Sequence, residues 1–511
     1  MEVGLNYKIM IFGYCIDDEE TILNKFLTNG PYCLLGLSGD YVIVIENSSE
    51  TFVVSSTFAV TQYYYTVENG KFYHSDTVME VLKQGGLQWQ WNWRALADFV
   101  SLGQVLENET LHKAVFRVPA SSILHFKYGK LNTKTIPWDT LYPTMDATPE
   151  MALEVFNKEV EYWVQPDSVV SISAGFDSRV ILSSVLKTGC RPLLLTMGFD
   201  KSTEVQISKS ISQSLGLELQ QVVLNLGDYF QYGEEVTLLT NGTKSACDWH
   251  TYIYPKKSDQ DIQRTFFVGT NGEFVRSAYL NKGIVARIAD TFTPLSLPYF
   301  WKRKLKPKFS GEELEGMNAE FVEQYSGEGY KQRLKRLMKL CHHQLLPGLD
   351  RFFLEQRVRN FHGNGLKMNN ASFQTRLPFL SKDWVAAVWN LGRNWKLGDN
   401  WHRFAIENNC PKLLDFPEAK TGKIMTPKAS TFYWTKAKQI KGLVPYADYA
   451  NWFKNDVVAS FIFDNSPILS ELISQETVYK IVEDHKTNNN RLSVIAFLLP
   501  MIYWLRNTKI L

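Results

Sequence analysis

The chain has 511 residues, more than one hydrophobic core usually supports, and its 45% hydrophobic and 21% charged composition excludes extended disorder. Its 55 Lys and Arg residues against 53 Asp and Glu leave a formal charge of +2, which excludes the global field of a nucleic-acid binder. Six widely spaced cysteines without a CxxC pair exclude a disulfide framework and point to reduced thiols. The first residues show no signal-peptide pattern, and the most apolar run, 492–505, is interrupted by Pro500 and too short to span a bilayer. A cytoplasmic protein without membrane insertion, ending in a buried helix, is the expectation.

Residues 41–45 and 51–55 are β-branched runs flanking a polar turn, and 62–66 and 71–74 flank Glu68-Asn69-Gly70, so two hairpins follow one another. A short helix is expected over 93–102, with strands near 114–118 and 122–127. The polar, proline-containing stretch 142–149 ends this antiparallel region, and a domain boundary is placed there, between 1–145 and 146–511. Beyond it a helix over 150–163 leads into strands at 169–173, 192–197 and 218–224 that alternate with helices at 176–186 and 203–215. That alternation indicates βαβ units and a parallel sheet covered on both faces, followed by a mostly helical part from about 310. Two basic runs, 301–308 and 331–339, read as solvated surface, the second as the polar face of an amphipathic helix.

The segment Ser173-Ala-Gly-Phe-Asp-Ser178 joins a buried strand to a helix through small residues. Ser173, Ala174 and Gly175 let backbone approach an anion, the helix start presents its amides, and Ser178 adds a hydroxyl. Asp177 beside bound phosphates would be repulsive without a cation, which suggests Mg²⁺. No Gly-Lys-Ser/Thr follows, so this is not a Walker loop. A strand-to-helix turn that binds nothing is the bland alternative.

This loop is similar to the Ser-Gly-Gly-x-Asp-Ser pyrophosphate loop of the N-type ATP pyrophosphatases, with Ala174 in place of one glycine. Further segments resemble the synthetase domain of asparagine synthetases, in the same order. Thr196-Met-Gly-Phe199 is similar to the adenine-contacting segment, implying a nucleotide role for Thr196, Met197 and Gly198. The stretch Phe267-Val-Gly-Thr-Asn-Gly-Glu-Phe-Val-Arg-Ser-Ala-Tyr279 aligns with the second loop, Arg376-Leu-Pro-Phe-Leu380 with Arg-Val-Pro-Phe-Leu, and Glu418-Ala-Lys-Thr-Gly-Lys-Ile-Met-Thr-Pro427 with the lysine loop. The resemblance implies that Gly269 and Gly272 keep the second loop compact and that Glu273 joins Asp177 as a Mg²⁺ ligand. It makes Lys420 the residue that neutralises departing pyrophosphate. Thr270 falls on an acidic family position and Lys423 on an aromatic one. Arg403 matches a family arginine, although a structural ion pair explains it equally well.

Residues 30–80 resemble the later strands of the glutamine amidotransferase (Ntn-type) domain that precedes the synthetase in that family. Glu2 stands where the resemblance would place the nucleophilic cysteine, the glutamine-binding Asn-Gly-Glu segment is not found, and Cys15 and Cys33 read as core thiols in strands. The same loss occurs in β-lactam and carbapenam synthetases and lasso-peptide cyclases. The resemblance implies an ATP- and Mg²⁺-dependent, AMP-forming amide ligase that joins a small-molecule or peptide carboxylate to an amine without hydrolysing glutamine, with a biosynthetic partner protein as a further expectation. Ammonia-dependent amidation of an acid or sugar acid, and a non-catalytic nucleotide- or partner-binding relative, remain alternatives.

Overall fold

The computed structural model describes residues 7–258, 264–280, 284–309, 311–396, 398–418, 443–487 and 490–508. Its first eight strands are β1 (Lys8–Cys15), β2 (Gly39–Glu46), β3 (Glu50–Ser55), β4 (Tyr64–Glu68), β5 (Lys71–Ser75), β6 (Phe116–Arg117), β7 (Ser122–Lys127) and β8 (Lys130–Thr135). They form a five-stranded antiparallel sheet, β1-β2-β3-β7-β8, and a three-stranded one, β5-β4-β6. From Tyr41 to Ile45 strand β2 is an apolar run because it is buried on both faces. Tyr41, Ile43 and Ile45 pack with Ile22 and Phe26 of the helix Glu19–Asn29, whereas Val42 and Val44 pack with Tyr63 and with Tyr65 and Phe72 of the smaller sheet. Both expected hairpins and the helix Trp93–Leu102 are present.

The third sheet is parallel, with order β11-β10-β9-β12-β13: β11 (Leu219–Val222), β10 (Leu193–Met197), β9 (Val169–Ser171), β12 (Thr265–Phe267) and β13 (Gln374–Arg376). From β9 the chain first steps outward through β10 to β11, then returns to β12 on the other side. Right-handed crossovers therefore put helices on both faces, and the sheet has a switch point between β9 and β12. Among the described residues, 443–487 and 490–508 are largely helical, and the final helix, Leu492–Thr508, is buried along nearly its whole length around Pro500. Among the described residues no helix is long and apolar enough to cross a membrane.

The two sheet systems are joined by buried polar contacts. Arg376 lies between the rings of Tyr14 and Trp163, 4.6 Å from each centroid. Arg117 donates to Arg359 O and to Asn360 Oδ1, at 2.6 and 2.8 Å. Asp98, on the helix Trp93–Leu102, accepts from Arg333 Nε and Arg336 Nη1 at 2.7 Å each.

The last contact corrects the reading of the run 331–339 as wholly solvated. Arg333 is buried and Arg336 nearly so, because they neutralise a buried aspartate, while Lys331, Lys335 and Lys339 stay outward or half-exposed. A second correction concerns the amino-terminal cysteines. Both are half-buried at the edge of the core; Cys15 ends β1 as expected, but Cys33 sits in a 3₁₀ turn, Pro31–Leu34, where its Sγ donates to the carbonyls of Lys25 and Gly30. The Pro31 start and Gly30 cap break the strand that the apolar sequence suggests.

Replacing Asp98 by Ala would leave Arg333 buried without its counter-charge. We expect a loss of about 3 kcal/mol, read as a lowered midpoint in thermal or denaturant unfolding. An unchanged midpoint would show that the Arg333 and Arg336 contacts do not hold the regions together.

Candidate active site at the switch point of the parallel sheet

The loop after β9 is knitted to itself before it can hold anything else. Ser178 Oγ accepts from Ser173 N at 3.2 Å and donates back to Ser173 O at 3.1 Å, and Ser173 Oγ accepts from Gly175 N at 3.2 Å. The helix Phe176–Lys187 then begins with Gly175 as its N-cap, which supplies no side-chain acceptor for the first-turn amides. Ser173, Ala174, Gly175, Phe176 and Asp177 line a cleft of about 450 Å³. Ser178 is buried under the loop and shapes it from behind.

The second loop, after β12, packs directly on Asp177. A Cβ added at Gly272 would lie 2.6 Å from Asp177 Cγ, and one at Gly269 would lie 3.1 Å from Asp177 Cβ and from Ser178 N. Both positions therefore need glycine for close approach rather than for a special backbone angle. Asn271, between them, has φ of +75° and donates from Nδ2 to Phe379 O, tying the loop to the Arg376-to-Leu380 segment.

Asp177 is gripped from two sides. Its Oδ2 accepts from Arg276 Nη2 at 2.8 Å, and its Oδ1 lies 2.7 Å from Nε2 of the fully buried His402. Arg276 also donates to Asp399 at 2.5 Å. Burial works against the Arg276 charge, but Asp177 and Asp399 outweigh it and hold the guanidinium protonated. Glu273 lines the same cleft with a side chain that is 34% exposed. Its carboxyl is shifted upward, first by desolvation and then by the Asp177 charge, against the opposing pull of Arg276 and Arg357.

The positions expected from sequence fall into three groups. Ser173, Ala174, Gly175, Asp177 and Glu273 share the cleft, with Gly269 and Gly272 behind them. Thr196, Met197 and Gly198 end the neighbouring strand β10 outside the cleft lining. Gly198 has φ of +128° and abuts Tyr446, whose Cβ lies 2.8 Å from where its own Cβ would be. Lys420, Lys423 and Glu2 lie outside the described residues, although Glu418 lines the cleft. Arg403 is fully buried in the helix Asn400–Asn409 and donates to Asn400 Oδ1.

Three site residues carried no sequence signal of their own. His402 precedes Arg403 without a recognisable spacing to Asp177, and Arg276 sits inside a segment whose other residues drew attention. Arg357 comes from a ten-residue π-helix, Phe353–His362, a rare geometry found mostly at functional positions and invisible to a 3.6-residue pattern. Arg179 was missed as well. It is fully buried, and its guanidinium donates to Ala174 O at 3.0 Å, Leu413 O at 3.2 Å and Phe416 O at 2.7 Å, strapping the first loop to the segment that leads to Glu418.

The described lining of the cleft holds four carboxylates, Asp177, Glu204, Glu273 and Glu418, and three cations, Arg276, Lys304 and Arg357. Polyphosphate would be accepted there only with added positive charge. Among the described residues no three His, Cys, Asp or Glu side chains converge as a closed metal cage. Asp177 and Glu273 fit the other pattern, in which one or two carboxylates share Mg²⁺ with phosphate and water.

Residues 15–137 match the family model of the glutamine amidotransferase domain. The match takes in β2 through β8 and extends on both sides of the 30–80 stretch whose resemblance is visible by eye. No curated protein sequence matches the chain.

Replacing Gly272 by Ala would push a methyl into Asp177. For the nucleotide-binding role proposed below, ATP affinity measured calorimetrically in the presence of Mg²⁺ is expected to fall about tenfold or more with only a small change in unfolding midpoint. Unaltered affinity would mean that the second loop does not position Asp177.

Proposed function

We propose that the chain is an ATP-dependent, AMP-forming ligase of the asparagine-synthetase type that joins a carboxylate to an amine without using glutamine, with residues 1–145 and 146–511 as its two domains. The observation that carries this reading is the meeting of two loops at Asp177. A helix start and small residues face a cleft at the switch point of a parallel sheet, where such folds place ligands.

In this reading Ser173, Ala174 and Gly175 and the first amides of the helix Phe176–Lys187 take the pyrophosphate portion of ATP, and Ser178 maintains the loop. Asp177 and Glu273 would hold Mg²⁺, which when bound neutralises phosphate charge. A carboxylate oxygen of the acid attacks the α-phosphorus, the bond to the bridging oxygen breaks, and pyrophosphate leaves with its electron pair. The amine then attacks the acyl carbon, AMP departs, and the amine loses a proton. Lys420, two positions beyond the cleft-lining Glu418, is assigned to the charge that develops on the departing phosphate.

Glutamine hydrolysis needs a thiolate. The thiols of Cys15 and Cys33 are both shifted upward by burial, the direction opposite to an activated nucleophile. A second reading, a nucleotide-binding relative without turnover, draws on the double grip of Arg276 and His402 on Asp177, which must loosen before that carboxylate can share a cation.

Incubation with ATP, Mg²⁺, an amine and a panel of acids should release pyrophosphate and AMP. Release of ADP and orthophosphate would overturn the assignment, and ATP binding without turnover on any acid would favour the second reading. Lys420→Ala should retain ATP binding but lower turnover about 10²- to 10⁴-fold, with Lys423→Ala altering acceptor affinity more than maximal rate. Glutamate formation from glutamine should stay at background with and without ATP, and robust ATP-dependent formation would show that the amidotransferase domain is active.

A further inference from the structure

The helix Thr293–Lys304 carries two apolar stripes where one would suffice. Leu297 and Trp301 face inward and are almost completely buried with Leu337, Leu345 and Phe352. Leu295 and Tyr299, four residues apart on another face, are 76% and 66% exposed. They line a second groove of about 710 Å³ together with Phe300 and the cations Arg303, Lys304 and Lys306. Among the described residues no carboxylate belongs to that lining, in contrast to the neighbouring cleft. Tyr279 and Lys304 line both, so the two spaces adjoin. Lys304 Nζ lies over the rings of Tyr279 and Phe300, at 5.8 and 5.7 Å, at the junction.

We propose that this groove binds the acid substrate, and that the acid is amphipathic, with an extended acyl or aromatic body and a second anionic group. The proposal rests on the ligase reading for its chemistry but not for the binding itself. The apolar body covers Leu295, Tyr299 and Phe300, the remote anion meets Arg303 and Lys306, and the reacting carboxylate enters the cleft past Tyr279 and Lys304. Charge complementarity selects an anion, since three cations rim an apolar floor. The volume is that of a small-molecule site and the groove opens into the cleft, which favours a discrete ligand over a membrane or protein surface. The basic run 301–308, taken from sequence as solvated surface, becomes the anion-binding edge of a substrate groove, with Trp301 as its buried anchor.

The test uses the full chain and the fluorescent apolar anion 8-anilinonaphthalene-1-sulfonate. Enhancement should saturate and be displaced by dodecanedioate but not by aspartate. The double variant Leu295→Gln/Tyr299→Ser should weaken dodecanedioate binding at least tenfold, as should Arg303→Glu/Lys306→Glu, while ATP affinity stays unchanged because none of these residues lines the cleft. Displacement insensitive to both variants, or absent altogether, would overturn the groove. Sedimentation with phosphatidylglycerol vesicles that the variants abolish, without displacement by dodecanedioate, would make it a membrane face and also overturn the proposal. Variant-sensitive displacement without pyrophosphate release from any acid would leave the groove standing and sink the ligase reading. Pyrophosphate release from short acids alone, with no displacement, would do the reverse.

Discussion

A carboxylate held at the end of a parallel sheet between an arginine and a buried histidine sets the shape of everything around it. Asp177, largely covered in the first turn of its helix, needs compensation, and Arg276 and His402 supply opposite and polar partners at 2.8 and 2.7 Å. Because Arg276 must also satisfy Asp399, the position of the second loop is tied to the start of the helix Asn400–Asn409. Gly269 and Gly272 then allow that loop to close on Asp177 without a side chain between them. Two separate stretches of chain, 269–276 and 399–402, are thus made to converge on the carboxylate of the first loop.

The same arrangement governs where additional charge must come from. With four carboxylates and three cations in its described lining, the cleft does not suit polyphosphate until a metal or a further lysine joins it. Arg179 has the complementary structural role. By holding Ala174 O and the carbonyls of 413 and 416 together, it fixes the departure point of the chain that carries Glu418 into the cleft.

The amino-terminal region, which carries the glutamine amidotransferase domain, is docked by cations buried against carbonyls, rings and carboxylates. Arg376 has a structural place that its motif did not announce. Its segment resembles one from a nucleotide-dependent family, yet its guanidinium is sandwiched by Tyr14 and Trp163 at the junction of the two sheet systems. The π-helix Phe353–His362 works on both sides. Phe353 and Arg357 line the cleft, while Arg359 and Asn360 contact the amino-terminal region.

Period and punctuation alone determined the regular elements. Alternation in 62–66 and 71–74 around Asn69-Gly70 specified a hairpin, and the helix Thr203–Leu215 ended at Gly216 because a left-handed residue was needed there. Strand β1 and the helix Glu19–Asn29 were less legible, since their half-buried faces carry weak patterns. The first loop was legible because small residues before a helix have a local reason to be there. What only tertiary structure decided was partnership: His402 with Asp177 and Asp98 with Arg333. Electrostatic and packing partners depend on distance in space, and residues more than two hundred positions apart leave no spacing in a sequence from which that distance can be read.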